Sequence, residues 1–506
     1  MEDLRLPLLG FTAAYSGFII SFIKFFVLAP SALFTTYVIF NEFIRLSSRV
    51  PRLPGPWGYP LLGSLPSIEG KVNSDEYRKW AGKYGDVFQL QLGNTTAVVV
   101  NSAAAARALF ITQREATNGR PIFYVLHKKV QRGGPVTSIG TSPWDDSCKR
   151  RRKVAATALN KTSVESYLPL IHPLTTLIQR VEDVKDLHSD LLLSEIIYIE
   201  EQIAAFRDVS TNYSNYIPIL RPLNTIADFL GFHTGTHMAD VGKRRHAYHA
   251  ALQENLRREI ALGIDRPCIQ GNVLKDPESK GLSEGELLSV SLSMMAGADT
   301  TKRSIMWAML LLAHRQDIQE KAYQAIVEFE GGRLLESQDV AHTKIEYIEA
   351  LTKEIGRYFV VLRLALPKAT HSYVDWQGST IPPQTLLFLN SWACSRDPSV
   401  FTDPNSFTPE RWLDGDQSAN RHQYAFGIGG RMCVASHVAS KALYTVLLHL
   451  IAHFKMVPVE GASDDEVDPV AGLAVPGNHQ AAPKARHVRF ISRNRELTGE
   501  MLSAST

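Results

Sequence analysis

The sequence predicts a mainly α-helical protein, in which a single large helical domain carries small β-sheets and an apolar helix precedes it. Apolar residues recur at helical spacing over long segments beyond Ser102, whereas strand-like segments are short. Strands and helices do not alternate, which argues against a doubly wound parallel sheet. With 45% hydrophobic and 21% charged residues, the chain has enough apolar material for one large core. Helices are predicted at residues 145–160, 164–185, 195–207, 283–313, 317–329, 344–358 and 434–453.

The N-terminal segment is the most apolar part of the chain. Lys24 is its only charge from Leu6 to Phe40, and the window Ser21–Phe40 has the length of a membrane-spanning helix. Basic residues follow this window, so the positive-inside rule places the rest of the chain in the cytosol. We expect residues 1–50 to form a membrane anchor and its flank, as one span or a re-entrant pair. A cleaved signal peptide fits less well, because the n-region is not net basic.

Residues 51–506 are expected to form the single domain that follows the anchor. Prolines at positions 51, 54 and 56 fix the backbone and predict a stiff linker. Two strand-like runs, Val87–Leu92 and Thr96–Val100, flank Gly93-Asn94 and predict a hairpin. Further short strands are predicted within residues 371–390 and 485–492.

Charge and cysteine content exclude several classes of protein. A net charge of +3 is too small to indicate nucleic-acid binding. The chain has four cysteines with no CxxC spacing, which argues for a reducing compartment and against a disulfide scaffold. Any one of these cysteines can therefore be free for chemistry.

Residues 426–433 combine glycines, an arginine and a cysteine in one short segment, Phe426-Gly-Ile-Gly-Gly-Arg-Met-Cys433, which runs into an apolar helical stretch. Gly429 permits the positive φ and the close approach that a loop against a flat ligand needs. Arg431 can meet an anionic group, and Phe426 can shield the sulfur. Cys433 lies at a helix start, where the dipole favours a thiolate. A cysteine that only fills core space is the plainer interpretation, and this loop argues against it.

This segment resembles the haem-binding signature of the cytochrome P450 superfamily, phenylalanine-x-x-glycine-x-arginine-x-cysteine. The resemblance implies a haem-thiolate monooxygenase that binds haem b, with Cys433 as the axial iron ligand and Phe426, Gly429 and Arg431 in the cofactor site. The superfamily usually has glycine two residues after the cysteine, where this chain has Ala435. The added methyl group is expected to alter the packing of helix against haem slightly.

Two further segments match the superfamily in the order in which it places them. Glu354-Ile-Gly-Arg357 resembles its glutamate-x-x-arginine helix, although an i,i+3 ion pair is common on helix surfaces. Residues 407–412 resemble the segment that supplies a second arginine, here Arg411, to the same glutamate. The resemblance implies that Glu354, Arg357 and Arg411 form a structural network that shapes the ligand loop and does not catalyse.

A polar segment, Ala296-Gly-Ala-Asp299-Thr300-Thr301, interrupts an otherwise apolar helical stretch. Burying such a pair is costly without partners, so a kinked helix with a satisfied threonine and a polar functional site are the two interpretations. The superfamily uses this place to deliver protons during oxygen activation. The resemblance implies that Thr300 holds a water and the oxygen while Asp299 relays protons, and that the thiolate favours O–O cleavage.

Trp144 precedes a basic run at the start of the predicted helix 145–160. It resembles the superfamily's tryptophan that donates to a haem propionate, but Cys148 stands where an arginine is usual four residues later. Arg151, seven residues from Trp144 on one helix face, is the expected substitute. The basic residues 149–153 are either a solvated face or a docking surface for a reductase, and docking predicts an association that weakens with salt.

The sequence contains neither a Rossmann nor a phosphate-loop fingerprint. The resemblance therefore implies that electrons come from a separate NADPH–cytochrome reductase and that O2 is the co-substrate. We expect the protein in the endoplasmic-reticulum membrane with its catalytic domain in the cytosol. His449 and His453 have i,i+4 spacing, but Leu450 stands where a zinc protease needs glutamate, so core packing is the better interpretation.

Residues 120–124, 142–153 and 431–437 are similar to a fungal branch of the superfamily that includes phenylacetate and hydroxyphenylacetate hydroxylases. This resemblance implies hydroxylation of a small aromatic ring. Substitutions such as Ala435 favour a diverged member of a secondary-metabolite pathway, acting on a phenolic ring such as an alkylated salicylaldehyde. Catabolic hydroxylation of phenylacetate or hydroxyphenylacetate is the alternative.

Substrate contacts are expected, by family position, from residues 119–134, 217–222, 294–298, 361–366 and 472–476. Arg120 and Arg363 are candidates to pair with a carboxylate, and each can equally be structural. Two other functions stay open, a haem-thiolate sensor without turnover and a peroxide isomerase of the same fold. The Asp299–Thr300 pair argues against both. NADPH consumption linked to product would distinguish a monooxygenase from a sensor.

Overall fold

The computed structural model describes residues 24–131, 137–167, 191–208, 211–222, 226, 229–230, 234–331, 343–413, 415, 421–485 and 487–493. Within these ranges the protein is mainly helical with small sheets, which confirms the predicted fold class. Most of the predicted helix 164–185 and part of the expected contact segment 119–134 lie outside the described residues.

Six of the predicted helices are present in the described residues, with ends that differ from the prediction by a few residues, whereas the helices 73–84, 234–262 and 269–275 were not predicted. The longer helices are α1 (Ala29–Ser47), α2 (Asn73–Tyr84), α3 (Asp146–Ala158), α4 (Leu191–Ala205), α5 (Thr234–Leu262), α6 (Ile269–Lys275), α7 (Glu284–His314), α8 (Gln316–Phe329), α9 (Glu346–Phe359) and α10 (Ser436–His453). Short helical turns join them, among them Ala103–Arg107 and Ser391–Cys394.

The strands form one sheet of four and two of two. The strands are β1 (Val87–Leu92), β2 (Thr95–Val100), β3 (Lys368–Ala369), β4 (Val374–Trp376), β5 (Ser379–Ile381), β6 (Leu386–Leu389), β7 (Phe454–Pro458) and β8 (Val488–Ser492). The larger sheet has the order β1-β2-β6-β3, so the predicted hairpin β1–β2 is confirmed. β2 pairs in parallel with β6, from Ala97 opposite Leu386 to Val100 opposite Leu389, which joins two distant parts of the chain.

The central helix α7 organises the largest core cluster. Ser283 and Glu286 form a capping box that fixes its N-terminus. Its C-terminal half is buried against α8, α9 and α10, and Trp307 stacks on Phe359 of α9 with ring centroids 4.5 Å apart. His449 and His453 are buried in α10, in accord with the core-packing interpretation. The apolar C-terminal half of α7 thus anchors the polar segment that precedes it.

The N-terminal helix extends away from this core. Lys24–Leu28 continues directly into α1, and the helix Lys24–Ser47 is long and apolar enough to cross a membrane. Only its end is tied to the domain, where Asn94 Nδ2 donates to Asn41 Oδ1 at 2.6 Å and Arg45 donates to the Trp57 carbonyl at 2.6 Å. The predicted window begins at Ser21, which lies outside the described residues. A second span, the other predicted possibility, would also lie outside them. The exposed apolar side chains include Phe25, Phe26, Leu33, Phe34, Ile39 and Phe40.

Deleting residues 1–38 should release the protein from membranes without unfolding the domain. The deletion removes the exposed apolar turns but keeps the contacts of Asn41 and Arg45. The measurement is the fraction of protein that sediments with membranes, together with haem absorbance. Deleting residues 1–47 is the contrast, since it should give the same release with a lower melting temperature. Continued sedimentation of the shorter deletion would mean that another surface binds the membrane.

Candidate functional site

The segment 426–433 forms a tight loop before α10. Gly427 and Gly429 have φ of +73° and +77°, the left-handed region that glycine tolerates. A Cβ at Gly429 would lie 2.0 Å from the Phe110 carbonyl oxygen, so no other residue fits there. The Cys433 amide donates to the Phe426 carbonyl at 3.0 Å and closes the loop. The backbone is therefore shaped to hold Cys433 at one place.

Cys433 lies three residues before α10 and retains accessible surface. The protein mass around it nevertheless raises the pKa of its thiol, and the Ala435 amide and the Arg152 charge act in the opposite direction. Burial outweighs the expected preference for a thiolate at a helix start. A metal ion that binds sulfur would reverse this balance, because coordination deprotonates a thiol.

Three cations belong to this region: Arg431 lies within the loop, and Arg120 and Lys368 lie beside it. Arg431 donates to three carbonyls, those of Asn118, Ile139 and Ser142, at 2.9–3.2 Å. Lys368 Nζ donates to the carbonyl of Ile428 at 2.9 Å, and Arg120 donates to those of Leu366 and Pro367 at 2.6 and 2.8 Å. Every partner is a neutral carbonyl, so the positive charge of the cluster is not neutralised by these hydrogen bonds.

The electrostatics of the cluster point to an anionic ligand. Burial lowers the pKa of Lys368 well below its usual value, and the charges of Arg120 and Arg431 lower it further. Burial likewise lowers the pKa of Arg431 to about 10. Nε of Arg120 and Nε of Arg431 are buried without a hydrogen-bond partner among the described residues. An anion placed between these groups would neutralise the repulsion and complete the hydrogen bonds.

These residues fit a haem. Cys433 supplies a sulfur ligand for iron, Gly429 lets the loop approach a flat macrocycle, and the cations match its two propionate carboxylates. Arg431 also lies over the Trp144 ring, 5.2 Å from its centroid, so the structure brings Trp144 to the same cluster. Phe426 contributes its backbone carbonyl to the loop.

Arg151 does not take the expected place beside Trp144, and Arg152 is not part of a solvated basic face. Arg151 is buried and donates to Ser289 Oγ of α7 and to the Thr137 carbonyl, so it bridges α3 and α7, and Arg431 is the cation over Trp144. Arg152 donates to the Met432 carbonyl at 3.1 Å and supports the ligand loop from behind. The predicted basic run is thus exposed only at Lys149, Arg150 and Lys153.

Asp299 and Thr300 lie in an unbroken stretch of α7. Asp299 Oδ2 accepts from Arg303 at 3.0 Å, and Lys302 Nζ lies 3.4 Å from Oδ1. Arg303 Nε also donates to Gln480 Oε1 at 2.7 Å, which connects the pair to the C-terminal segment. The Thr300 hydroxyl donates to the Gly297 carbonyl at 2.9 Å. The carboxylate is therefore ion-paired, and the threonine is held by the backbone of its own helix.

The structure brings Glu354, Arg357 and Arg411 together in one buried network. Arg357 donates to both oxygens of Glu354 at 2.7 and 2.8 Å, and Arg411 Nε donates to Oε1 at 3.2 Å. The Thr408 amide and the Trp412 indole complete the carboxylate's partners at 2.9 and 2.8 Å. Arg357 and Arg411 in turn bind carbonyls of residues 395–406. The residues 395–412, which precede the ligand loop, form a meander. The network fastens this meander to α9.

The sequence analysis did not identify Lys368. Arg120, predicted either to pair with a carboxylate or to be structural, lies with Lys368 and Arg431 in the cationic cluster. Lys368 precedes the predicted strand region 371–390, and a lysine is rarely buried, so nothing local in the sequence indicates its position in the site. Arg363, the other candidate, is also buried and lies elsewhere, beside Trp392.

Comparison with known proteins agrees with this arrangement. The family model described as cytochrome P450 matches residues 53–480. The chain is 39% identical to a 3-hydroxyphenylacetate 6-hydroxylase of Emericella nidulans, over 92% of this chain and 94% of the relative. It is 33% identical to a phenylacetate 2-hydroxylase of the same organism, over 94% and 97%. A cytochrome P450 monooxygenase of Mycosarcoma maydis is 35% identical over 87% of each chain.

Proposed function

The chain belongs to the cytochrome P450 family of monooxygenases, and on that premise we propose that it hydroxylates the ring of a small aromatic compound. The aromatic ring is inferred from two hydroxylases of phenylacetate and 3-hydroxyphenylacetate that align with more than nine tenths of the chain. The observation that carries the haem site is the cationic cluster beside the Cys433 loop, which has no carboxylate among its hydrogen-bond partners in the described part of the chain.

Each residue of the proposed haem site has one task. Cys433 would bind the iron of haem b, and Arg120, Lys368, Arg431 and Trp144 would hold its carboxylates. A bound haem would supply the oxygen chemistry in which one atom of O2 enters the substrate and the other leaves as water, with two electrons from a reductase and two protons. Arg152 and the network of Glu354 keep the ligand loop in place, so that the sulfur position does not depend on the haem alone.

Asp299 and Thr300 are proposed to supply the protons that the oxygen chemistry consumes. Asp299 is paired with Arg303 and Lys302, so it can exchange a proton with solvent only when one of these pairs opens. Thr300 can release its bond to the Gly297 carbonyl and turn its hydroxyl to a water. The two side chains then form a path from the surface to the reaction centre.

Replacing Thr300 with alanine should uncouple NADPH consumption from product. The variant loses the hydroxyl that positions the proton-carrying water, whereas haem binding should persist because Thr300 touches none of the cationic cluster. The measurement is moles of product per mole of NADPH, together with hydrogen peroxide. Thr301→Ala is the matched control, because Thr301 also bonds the Gly297 carbonyl, at 3.3 Å. Equal coupling in Thr300→Ala and the wild type would refute the assignment.

Electrons are proposed to come from an NADPH–cytochrome reductase at the endoplasmic-reticulum membrane. The exposed cations Lys149, Arg150 and Lys153 lie on α3, the helix whose Arg152 reaches the ligand loop. Each is already paired, with Asp146, Glu286 and Glu278 respectively. Docking would exchange the surface pairs of Lys149 and Lys153 for acidic groups of the reductase, so the association should weaken as salt rises.

The substrate is proposed from two classes, which optical titration separates. A neutral, alkylated salicylaldehyde fits a diverged member of a secondary-metabolite pathway, and an arylacetate fits the two hydroxylase relatives. Displacement of water from the iron shifts the Soret band of the purified protein. A shift with phenylacetate favours the arylacetate, and a shift with the aldehyde alone favours the neutral class. A folded haem protein that hydroxylates no aromatic compound would contradict the proposed function.

A further inference from the structure

Two arginine–carboxylate pairs of the site differ in geometry. Arg357 engages both oxygens of Glu354, with Nε 2.8 Å from Oε2 and Nη2 2.7 Å from Oε1. Arg303 instead directs both groups to one oxygen of Asp299, with Nε at 3.1 Å and Nη2 at 3.0 Å from Oδ2. The first arrangement is the usual planar fork, whereas the second leaves one carboxylate oxygen outside the pair.

Gln480 accounts for this difference. The Nε–H group of Arg303 has one hydrogen, which it shares between Oδ2 of Asp299 and Oε1 of Gln480. The distance from Nε to Gln480 is the shorter of the two, 2.7 Å. This bond draws the guanidinium away from the position in which Nε and Nη2 would bind separate oxygens of Asp299.

The segment around Gln480 fixes it against α7. Gln480 is 5% exposed, and the amide of the next residue, Ala481, donates to the Val361 carbonyl at 2.8 Å. The Ala481 carbonyl accepts from the indole of Trp307 at 3.0 Å. Trp307 lies one helical turn beyond Arg303 on α7. Gln480 therefore keeps a defined position relative to the helix that carries the ion pair.

The oxygen that remains outside the pair is Oδ1 of Asp299. It is buried and has no hydrogen-bond partner among the described residues, although the ammonium group of Lys302 lies 3.4 Å away. The Lys302 side chain is 48% exposed, so it can turn into solvent and admit water to this oxygen. A buried, unbonded carboxylate oxygen that is one side chain from solvent is suited to take up and pass on a proton.

We propose that Gln480 is a positioning residue for proton delivery: it holds Arg303 on Oδ2 and so keeps Oδ1 of Asp299 free to carry protons. Oδ1 takes a proton from water beside Lys302 and gives it to the water that Thr300 positions, which regenerates the carboxylate for the next proton. The inference rests on the proposed function of Asp299 and Thr300 and adds the residue that sets the geometry of the acid.

The test replaces Gln480 with leucine, which has similar bulk and no acceptor. Arg303 should then turn onto both oxygens of Asp299 and close Oδ1. The full-length haem protein is assayed with a reductase and with phenylacetate, 3-hydroxyphenylacetate and an alkylated salicylaldehyde. Product per NADPH should fall about two- to tenfold, the effect of one hydrogen bond on such an equilibrium. The solvent deuterium isotope effect on product formation should rise, because proton transfer becomes slower, while KM stays within about twofold.

Gln480→Glu and Gln319→Leu are the matched controls. Glutamate keeps the acceptor for Arg303, so coupling should be at least that of the wild type. Gln319 is a buried glutamine at the other end of α7, where Nε2 donates to the carbonyls of Leu312 and Met456. Gln319→Leu should lower the melting temperature without changing the coupling or the isotope effect, because it lies away from the ion pair.

The change in geometry can be observed without turnover. A crystal structure of the full-length Gln480→Leu protein with haem should show Nε and Nη2 of Arg303 on different oxygens of Asp299. That of the wild type should show both on Oδ2, with Nε shared with Gln480. If the leucine variant does not fold, Gln480→Glu decides, since a loss of coupling in a variant that keeps the acceptor would contradict the inference.

Unchanged coupling and an unchanged isotope effect in folded Gln480→Leu would overturn the inference, and so would an unmoved Arg303 in its structure. An equal loss of coupling in Gln319→Leu would indicate a structural role and would overturn it as well. A wild-type protein that forms no hydroxylated product would refute the proposed function, whereas fully coupled product formation by Gln480→Leu would refute only the inference. The two failures are therefore distinguishable.

Discussion

Replacing Cys433 with serine is expected to abolish product formation and the Soret band that marks a thiolate-ligated ferrous carbon monoxide complex. The loop holds a single sulfur at this place through the bond from the Cys433 amide to the Phe426 carbonyl, and none of the other described cysteines lies in it. Serine keeps the backbone geometry but does not supply the soft anionic sulfur that haem iron needs. The loss should therefore be complete, with little change in the melting temperature of the haem-free protein.

Cys268→Ser is the matched control for this experiment. The Cys268 sulfur caps α6 by accepting from the Gly271 amide at 3.2 Å, and serine is an effective cap in the same position. The variant should keep the spectrum and turnover of the wild type. A Cys433→Ser protein with a normal thiolate spectrum would show that another residue binds the iron.

Replacing Glu354 with glutamine should lower the free energy of unfolding by about 3–5 kcal/mol, the usual result of removing one partner from a buried ion pair. Glu354 is fully buried and is the shared acceptor for Arg357, Arg411 and two further donors. The amide leaves two buried guanidinium groups without their counter-charge. Denaturant unfolding, followed by circular dichroism, measures the loss, and haem incorporation should fall with it.

Glu346→Gln tests whether the position or the charge matters. Glu346 is exposed in the first turn of the same helix, where a carboxylate contributes only about 0.3–1 kcal/mol through the helix dipole. Its substitution should change stability by no more than that. A Glu354→Gln variant as stable as the Glu346 control would mean that the network does not fasten the meander.

The sequence predicts those parts of the site that are contiguous in the chain. The Cys433 loop and the i,i+3 pair of Glu354 and Arg357 are readable because glycine backbone freedom and helical spacing are local properties. The sequence does not predict the cationic cluster in this way, because Arg120, Lys368 and Arg431 come from segments as much as 311 residues apart. Whether a buried cation faces another cation depends on how distant segments pack.

Helical periodicity likewise predicts which residues form a helix better than it predicts what each side chain binds. Arg151 was expected on the face of Trp144, but its guanidinium finds Ser289 of α7, because burial selects the nearest acceptors. The ends of the helices shift by a few residues for a similar reason, since capping groups such as Ser283 decide where a helix begins.

The parallel pairing of β2 with β6 has a consequence for biosynthesis. Asn390, directly after β6, donates to the Ser74 carbonyl, 316 residues earlier in the chain. A ribosome adds about 5–20 residues per second, so β2 waits roughly 15–60 s for the strand that completes it. During that interval the apolar helix Lys24–Ser47 is already synthesised, and the unpaired edge of β2 is open to wrong partners. Shielding this edge until β6 is made should therefore raise the yield of folded protein.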